Sequence, residues 1–538
     1  MTSAQKTWLS FALVLLYFGI VSHGLLFTTE GAFERDAFYH ARYAQMLPER
    51  GLSRSFPWMQ FTDWKEHFGD KDFLYHVILA PFCRDAAEPL PGAKWATLLL
   101  GLAAYAAFLL VLLRLQVRWP IFWTLLLIVG SGLFFNRMLM VRSHVFSVLL
   151  MIVSSYFVVR DRPRAVFLFG MLYSWSYSVP LALVITAAGA CAGRLAMERS
   201  WRSLRTLLAA AAGVGAGLAA HPYTPNSLSV IWQLINISLS RTAGVKLELG
   251  SEFRPIWPAG AFASPEFFGA AVRSVLVEIP GPLLALLFAC TVANLLQRRW
   301  KNRTLSSESA AAVGAALIWF VALFHFSRLV EYFAPLAVLA AALLCRDAWP
   351  SSQPPTARSA EPSARTWRLA GLLAATVLLS GLHLLSLDEV TELMNSTKRH
   401  HEFEIYMSEK QWSYGRFFSN RENGGAVKWL RDHAPRRSTI LNFHWDDFTE
   451  LYYTAPDFYY IVGLDPTLMR LPYREQSEVL EAMRIPEIPL DFARLHRLFG
   501  ADYLIMRNTR AAEYPELKSR RIAPVYEDDG AVIYKIGE

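Results

Sequence analysis

The chain has 538 residues, of which 54% are hydrophobic and 18% are charged, and its formal net charge is +8. This composition is too apolar for an ordinary soluble protein, and the length is too great for one soluble domain. The basic residues lie in short clusters between apolar segments, which argues against a single patch for binding nucleic acid. The composition therefore predicts a membrane protein that crosses the bilayer many times.

The first apolar run is followed at once by a polar motif. The run lacks a small-residue cleavage motif, so we predict a retained helix over 8–28 rather than a signal peptide. Residues 34–42 then read Glu-Arg-Asp-Ala-Phe-Tyr-His-Ala-Arg. If a short helix begins here, Asp36, His40 and Tyr43 share one face, because residues three and four apart are neighbours on a helix. That face can hold a base and a phosphate ligand. The simpler alternative is an interfacial helix whose charges face solvent.

Further apolar runs predict the remaining membrane crossings, each near the ~20 residues that span a bilayer. The stretch 165–193 is too long for one span, and Pro180 interrupts it, so we predict two short helices that meet at a turn near 177–180. Together with 8–28 this gives about eleven crossings. The other predicted spans are 92–113, 119–135, 143–159, 203–220, 281–297, 310–326, 328–345 and 367–386.

The basic clusters predict the orientation. In the eleven-span model they all fall on the side of the N-terminus, which the positive-inside rule makes cytoplasmic. We therefore predict a multi-pass protein of the bacterial inner membrane, with a transmembrane catalytic domain over 1–386 and large external loops at 29–91 and 221–280. Residues 387–538 form a predicted periplasmic α/β domain.

Two local patterns refine this prediction. In the C-terminal region a helical pattern at 423–431 precedes strand-like runs at 438–443, 503–506 and 531–534, which indicates a soluble α/β domain. The Gly213-Val-Gly215-Ala-Gly217 run lies inside a predicted span. There it indicates a close helix contact rather than a nucleotide-binding loop.

The predicted topology brings the unusual polar residues to the external side. Polar groups at the edge of hydrocarbon are costly, so a set of them at one level indicates a shared polar cavity. Besides residues 34–42, the set comprises Asp70, Asp72, Tyr75, His76, Arg137, Arg142, His144, His221, Tyr223, Glu252, Arg254, His325, Arg328, Glu331 and Tyr332.

A first membrane helix followed by Asp-x-x-Tyr-His-x-Arg resembles the first external loop of membrane glycosyltransferases of the GT-C class, including catalytic subunits of oligosaccharyltransferases. The resemblance implies that Asp36 is the catalytic carboxylate. Glu252 resembles in placement the external-loop acid of oligosaccharyltransferases, although its surroundings, Gly-Ser-Glu-Phe-Arg-Pro, differ from their motif.

The C-terminal region extends the resemblance. Residues 426–448 look like the helix, strand and Trp-Trp-Asp-Tyr-Gly segment with which oligosaccharyltransferases recognise acceptor peptide. Two departures occur: His444 replaces the first tryptophan, and Asp447-Phe448 replaces Tyr-Gly. The alternative is a surface loop in which Trp445 packs and the aspartates stay solvated.

Glycosyl transfer from a lipid phosphate needs two kinds of side chain. A carboxylate must accept the proton of the acceptor, for which we select Asp36 and, second, Glu34. Cationic groups must stabilise charge on the leaving phosphate, although arginines at helix ends also snorkel to lipid headgroups. The predicted phosphate ligands are Arg142, Arg328, His325 and His40. Predicted acceptor-binding or supporting residues are Glu252, Asp72, His444, Trp445, Asp446 and Asp447.

The sequence leaves the metal question open. Oligosaccharyltransferases carry a second metal-binding acid pair in a later external loop, but residues 136–144 read Asn-Arg-Met-Leu-Met-Val-Arg-Ser-His. A divalent ion such as Mg²⁺ or Mn²⁺ needs several oxygen ligands. The sequence does not require such an ion.

Three functions remain in competition. The first is an inverting glycosyltransferase that takes a sugar from a polyprenyl phosphate or diphosphate and transfers it, on the external face, to a glycan, lipid or protein acceptor. The second is an oligosaccharyltransferase-like enzyme that glycosylates protein. The third is a flippase or transporter of lipid-linked sugar, which predicts charged or broken mid-membrane segments and paired halves of the chain. No nucleic-acid partner is predicted.

Overall fold

A computed structural model describes residues 3–27, 30–199, 201–240, 305–323, 326–348, 424–470, 472–485, 487–518 and 522–537. The chain forms two compact units. The first unit comprises Met1–Thr28, Thr97–Gly217 and Gly250–Arg416; the second comprises Thr29–Ala96, Leu218–Leu249 and Phe417–Glu538.

The described helices are numbered here in chain order. They are α1 (Ser3–Phe27), α2 (Asp36–Arg50), α3 (Trp64–His67), α4 (Phe73–Leu79), α5 (Leu90–Arg114), α6 (Pro120–Val129), α7 (Gly132–Met138), α8 (Ser143–Val159), α9 (Pro163–Ser174), α10 (Ala182–Glu198), α11 (Leu204–Ala219), α12 (Asn226–Ser240), α13 (Ser307–Leu323), α14 (Val330–Ala348), α15 (Gly424–His433), α16 (Phe448–Thr454), α17 (Thr467–Arg470), α18 (Arg474–Arg484), α19 (Phe492–Phe499), α20 (Asn508–Ala511) and α21 (Pro515–Lys518). The strands are β1 (Thr439–Asn442), β2 (Tyr459–Tyr460), β3 (Tyr503–Arg507), β4 (Tyr526–Glu527) and β5 (Ala531–Lys535).

The described part of the first unit is helical, as the apolar runs predict. One helix of the described residues, α5, is long and apolar enough to cross a membrane, and the count rises to two if the bent pair α6 and α7 forms one span. Eleven crossings therefore remain a prediction. The predicted spans 281–297 and 367–386 lie outside the described residues.

Two interruptions shape the first unit. α9 ends at Ser174 and α10 begins at Ala182, which confirms the predicted pair of short helices within 165–193. The predicted single span 119–135 instead divides into α6 and α7, whose axes differ by 86°. The Ser131 hydroxyl accepts a hydrogen bond from the Phe134 amide, so it caps the start of α7 and stabilises the break.

The glycine run in α11 makes the close helix contact that the sequence predicts. A Cβ atom on Gly213 would collide with the Phe167 carbonyl of α9, and one on Gly217 would collide with Met171. A Cβ on Gly215 would meet nothing within 4 Å. The two glycines four residues apart therefore face α9, which lets the two backbones approach closely.

The second unit contains the predicted C-terminal sheet. Within the described residues, five strands lie in the order β2-β1-β3-β5-β4. β1 pairs in parallel with β2 and β3, while β5 is antiparallel to β3 and β4. The sheet prediction from alternating apolar residues is confirmed, with β1, β3 and β5 in the predicted stretches.

Both faces of this sheet are buried. Ile440, Ile505 and Ile533 lie in one apolar cluster, and the adjacent residues Leu441, Leu504 and Val532 lie in another, because successive strand residues point to opposite faces. Residues of 39–68 complete the first cluster. The N-terminal loop and the C-terminal strands thus form one hydrophobic core.

Candidate functional site

The predicted catalytic carboxylate lies at the start of α2 in the second unit. Asp36 is the first residue of the helix and is half-buried, as is Glu34. Asp36 and His40 are one turn apart on one face, as the sequence predicts. A carboxylate in the first turn of a helix also interacts favourably with the helix dipole.

Arg42, the last residue of the sequence motif, contacts the protein backbone. Its Nε and Nη2 atoms donate to the Tyr453 carbonyl at 2.9 and 2.6 Å, and Nη1 donates to the Ala86 carbonyl at 2.6 Å. Arg42 therefore joins α2 to α16 through backbone groups.

His40 belongs to a buried hydrogen-bonded chain. Its Nδ1 lies 2.8 Å from His76 Nε2, and His76 Nδ1 lies 2.8 Å from Asp70 Oδ2. The other oxygen of Asp70 accepts the Asp72 amide at 3.0 Å. Asp72 occupies the N-cap position of α4, yet the Asp72 side chain forms an ion pair with Lys71 instead of capping the helix.

The segment predicted to resemble the acceptor-binding motif forms a charged turn. Arg507 Nε donates to Asp447 Oδ1 at 2.5 Å, and its Nη2 donates to Asp446 Oδ2 at 2.9 Å. From the start of α2, Arg35 Nη1 lies 3.2 Å from Glu450 Oε1 and 3.5 Å from Asp447 Oδ1. Two arginines from distant parts of the sequence thus hold three carboxylates together.

The electrostatics of this turn follow from burial and the two guanidinium groups. Burial of Asp446 opposes its ionisation, but Arg507 and Arg35 outweigh that effect and hold the pKa of Asp446 below its usual range. Burial raises the pKa of Asp447, and the neighbouring Asp446 carboxylate adds to the rise. The two adjacent aspartates are therefore electrostatically unequal.

His444 is a neutral, buried imidazole. Only 1% of the residue surface is exposed, and neither ring nitrogen has a hydrogen-bond partner among the described residues. Burial, with the nearby Arg510, lowers the pKa of His444 to about 3. Its ring packs against Phe443 with the centroids 5.4 Å apart, while Trp445 is half-buried.

The first unit contains a separate polar cluster. Arg137 Nε and Nη2 each lie 2.9 Å from Glu331 Oε2, and the Tyr177 hydroxyl donates to Glu331 Oε1 at 3.0 Å. Arg328 Nη2 donates to the Tyr177 hydroxyl at 3.4 Å. Tyr177 also lies within electrostatic range of Arg142. The predicted phosphate ligands Arg142 and Arg328 therefore share one neighbour, Tyr177.

The remaining residues of the predicted site lie at the start of α8 or outside the described residues. Arg142 precedes α8 and is half-buried, and the His144 ring bonds to the Arg137 carbonyl at 2.6 Å. Glu252 and His325 lie outside the described residues. Within the described part of the chain, no group of three or more His, Cys, Asp or Glu side chains has the geometry to hold a metal ion.

Sequence reasoning missed the partners that organise these clusters. Arg507 is 60 residues from Asp447, and no local pattern distinguishes it. Arg137 and Glu331 both belong to the predicted external polar set, but no sequence pattern indicates that they pair with each other. His76 belongs to the predicted external polar set. Its separation of six residues from Asp70 is the one sequence feature that could have indicated their contact.

The comparisons with known proteins concern the fold. No protein-family model and no curated protein matches the sequence. The fold resembles the Archaeoglobus fulgidus oligosaccharyltransferase in the apo form, at 13% identity and a TM-score of 0.59, over 97% of this chain and 74% of that chain.

Two further solved structures of the A. fulgidus oligosaccharyltransferase show the same likeness. One is AglB in complex with an inhibitory peptide and a dolichol-phosphate, at 12% identity and a TM-score of 0.57, over 94% of this chain and 70% of that chain. The other is tethered through a disulfide bond to an acceptor peptide with the NVT sequon, at 13% identity and a TM-score of 0.55, over 98% and 74%. The predicted resemblance to oligosaccharyltransferase catalytic subunits is confirmed for the fold.

Proposed function

We propose, from a fold similar to that of oligosaccharyltransferase catalytic subunits, that this protein is an inverting glycosyltransferase of the GT-C class. It takes a sugar or glycan from a polyprenyl phosphate or diphosphate and transfers it to an acceptor on the external face of the bacterial inner membrane. The observation that carries the proposal is the likeness, along 97% of the chain, to an enzyme fold that also occurs in complex with dolichol-phosphate.

The sequence contains side chains of the two kinds that this reaction needs. The acceptor loses a proton as it attacks the sugar, and Asp36, at the start of α2, is the proposed base, with Glu34 as a second carboxylate nearby. Charge grows on the leaving phosphate, and Arg142, Arg328 and His325 are its proposed ligands. Arg328 donates a hydrogen bond to the Tyr177 hydroxyl, and that hydroxyl donates to Glu331. These two bonds support a fixed position for the Arg328 guanidinium.

Transfer to protein is the second candidate. It is favoured by the likeness to a structure that holds an acceptor peptide with the NVT sequon. The corresponding segment of this chain differs, because His444 is neutral and buried and Asp446 and Asp447 bond to Arg507. If protein is the acceptor, deletion of the gene removes protein-bound glycan from the cell. A lipid or polysaccharide acceptor leaves glycoproteins unchanged.

The test of the proposed base is transfer by the purified protein in liposomes that contain labelled lipid-linked sugar. Asn at position 36 keeps the size of the side chain but cannot take a proton, so Asp36→Asn is expected to lower kcat by about 100-fold or more while donor binding persists. Glu49→Gln, at the exposed end of the same helix, is the matched control. Undiminished turnover by Asp36→Asn would remove Asp36 as the base, and movement of donor lipid across the bilayer without transfer would indicate a flippase.

The phosphate ligands are tested by donor binding. Loss of a charge-assisted hydrogen bond costs about 1.5–3 kcal/mol, so Arg328→Ala is expected to weaken donor-lipid affinity by about 10-fold to 100-fold. Arg162→Ala removes an exposed arginine from the same unit and serves as the control. Unchanged affinity in a titration of Arg328→Ala would assign Arg328 to membrane anchoring.

A further inference from the structure

The hydrogen-bonded chain of side chains that runs from Asp70 through His76 to His40 is buried and well ordered in its geometry. Asp70, His76 and His40 are 1%, 0% and 3% exposed, and both links between them measure 2.8 Å. The members come from the segment before α4, from α4 and from α2. Burial of three polar side chains costs free energy unless hydrogen bonds satisfy them. The fold therefore tolerates these three residues only when both hydrogen bonds between them are formed.

The direction of the hydrogen bonds follows from chemistry. A carboxylate only accepts, so Asp70 Oδ2 fixes the proton of His76 on Nδ1. Nε2 of a neutral His76 is then an acceptor, and His40 must donate to it from Nδ1. In the neutral chain the remaining nitrogen of His40, Nε2, carries no proton and is basic. An Asp–His pair elsewhere sets the tautomer of a catalytic imidazole in the same way.

The position of His40 connects this chain to Asp36. The two residues lie one turn apart on α2, and residues four apart have Cβ atoms about 6 Å from each other. We propose that Asp70 and His76 are positioning residues that hold His40 with a basic Nε2, and that His40 receives the proton that Asp36 takes from the acceptor. The inference rests on the proposed function.

The protons and bonds balance in this sequence. The acceptor's bond to hydrogen breaks, its electron pair forms the bond to the sugar, and the sugar–phosphate bond breaks with the pair retained by the leaving phosphate. The proton passes to the Asp36 carboxylate and then to His40 Nε2. The resulting imidazolium is stabilised through His76 by the Asp70 carboxylate. Asp36 is thereby returned to its ionised form.

Other charged and titratable groups surround this chain. Tyr39, Tyr43 and Tyr75 pack against the two imidazoles, with ring centroids 4.7–5.9 Å apart. Asp72 is paired with Lys71, and Asp70 acts on His221 and Tyr223 through its charge. The Tyr43 hydroxyl bonds to that of Tyr223 at 3.2 Å. The carboxylate in direct contact with His76 is Asp70.

Asp70→Asn is expected to reverse the tautomers of His76 and His40. The oxygen that accepts the Asp72 amide must remain an oxygen, so the amide group of Asn takes the place that faces His76 Nδ1. Nδ1 then accepts, His76 donates from Nε2, and His40 Nδ1 accepts, which places the remaining proton of His40 on Nε2. The variant keeps the shape of the chain but removes the basic nitrogen.

The experiment combines a readout of the imidazole with a readout of transfer, both on the full-length protein. Mass spectrometry of C2-hydrogen exchange against pH follows His40 without substrate. Asp70→Asn is expected to move the exchange profile of His40 to lower pH, and to lower kcat by about 10³-fold with donor affinity unchanged. Glu49→Gln, at the exposed end of α2 and outside the hydrogen-bonded chain, is expected to change neither readout.

The outcomes separate this inference from the proposed function. An exchange profile of His40 that is the same in Asp70→Asn and the wild type overturns the relay, whatever the transfer rate. A shifted profile with kcat within threefold of the wild type overturns its role in transfer. If the wild type transfers no sugar, the proposed function fails and the exchange profile alone decides whether Asp70 governs His40. Should Asp70→Asn not fold, His76→Gln breaks the same link and is measured instead.

Discussion

Arg507 is the residue that compensates the buried charge of the turn at 446–447. It donates to Asp447 at 2.5 Å and to Asp446 at 2.9 Å, and Asp447 is almost completely buried. A buried pair adds little net stability over an apolar pair of the same shape. Removal of one partner is costly, however, because it leaves an uncompensated charge. Arg507 is therefore expected to matter far more than an exposed arginine.

Arg507→Ala tests this expectation. It should lower the free energy of unfolding by about 3 kcal/mol, since Asp447 loses its main counter-charge. Arg474→Ala, which breaks an ion pair to Glu478 on the exposed side of α18, should leave the free energy of unfolding nearly unchanged. Thermal unfolding of the purified variants measures both. Equal effects of the two substitutions would contradict a compensating role for Arg507.

His444 predicts a pH dependence of stability. In the unfolded chain its pKa is near 6.5, and in the folded protein burial lowers the pKa to about 3. Between these values the unfolded state binds more protons, so stability is complete above pH 6.5 and falls as the pH falls toward 3. By pH 4.5 the loss is about 3 kcal/mol.

His444→Phe removes the imidazole that takes up a proton on unfolding, and it keeps an aromatic ring against Phe443. Between pH 7 and pH 4.5 the variant is expected to lose about 3 kcal/mol less stability than the wild type. Unfolding curves at a series of pH values provide the measurement. Parallel curves for the two proteins would contradict a neutral, buried His444.

At the scale of the element, α9 and α11 offer a matched pair of substitutions. Gly213 faces α9, whereas Gly215 has open space around it. Gly213→Ala should destabilise the first unit, because the added methyl group meets a backbone carbonyl that cannot move aside. Gly215→Ala should be neutral or stabilise it by about 0.5–1 kcal/mol, since alanine favours helix over glycine. Thermal stability in detergent compares the two, and a larger loss for Gly215→Ala would contradict this packing.

The helices differ in how far the sequence could predict them. α5 and α8 follow uninterrupted apolar runs, and Pro180 marks the break between α9 and α10, so local chemistry suffices. The break between α6 and α7 was missed because Gly130 and Ser131 are also common in uninterrupted membrane helices. A glycine-serine pair becomes a break only when the surrounding helices accommodate the 86° bend, and sequence periodicity does not carry that information.

The same limit applies to the candidate site. Helical spacing predicts that Asp36 and His40 share a face, because both lie on one element. The links from His40 to His76 and from Arg35 to Glu450 join residues 36 and 415 positions apart along the chain. Such contacts depend on tertiary packing, for which a single sequence has no periodic signal. The residues could be shortlisted by chemistry, but their partners could not.

At the scale of the whole molecule, the C-terminal sheet depends on the N-terminal loop. Tyr39, Phe56 and Trp58 lie in the same buried cluster as Ile440 and Ile505 of the sheet. The Gln60 and Phe61 amides also donate to the carbonyls of Tyr460 and Ile461, which extends the pairing beyond β2. One face of the sheet is therefore completed by residues that lie almost 400 positions earlier.

This dependence predicts that residues 417–538 do not form a stable domain alone. Without residues 30–96 the fragment exposes one apolar face of its sheet, and each large side chain left uncovered forgoes about 1.5–3 kcal/mol of burial. A small domain has only about 5–15 kcal/mol of total stability. Amide hydrogen exchange should therefore show little protection of β1 and β3 in the fragment and strong protection in the full-length protein. Trp58→Ala in the full chain should weaken protection on that face, and a fragment as protected as the full chain would show that the sheet is self-sufficient.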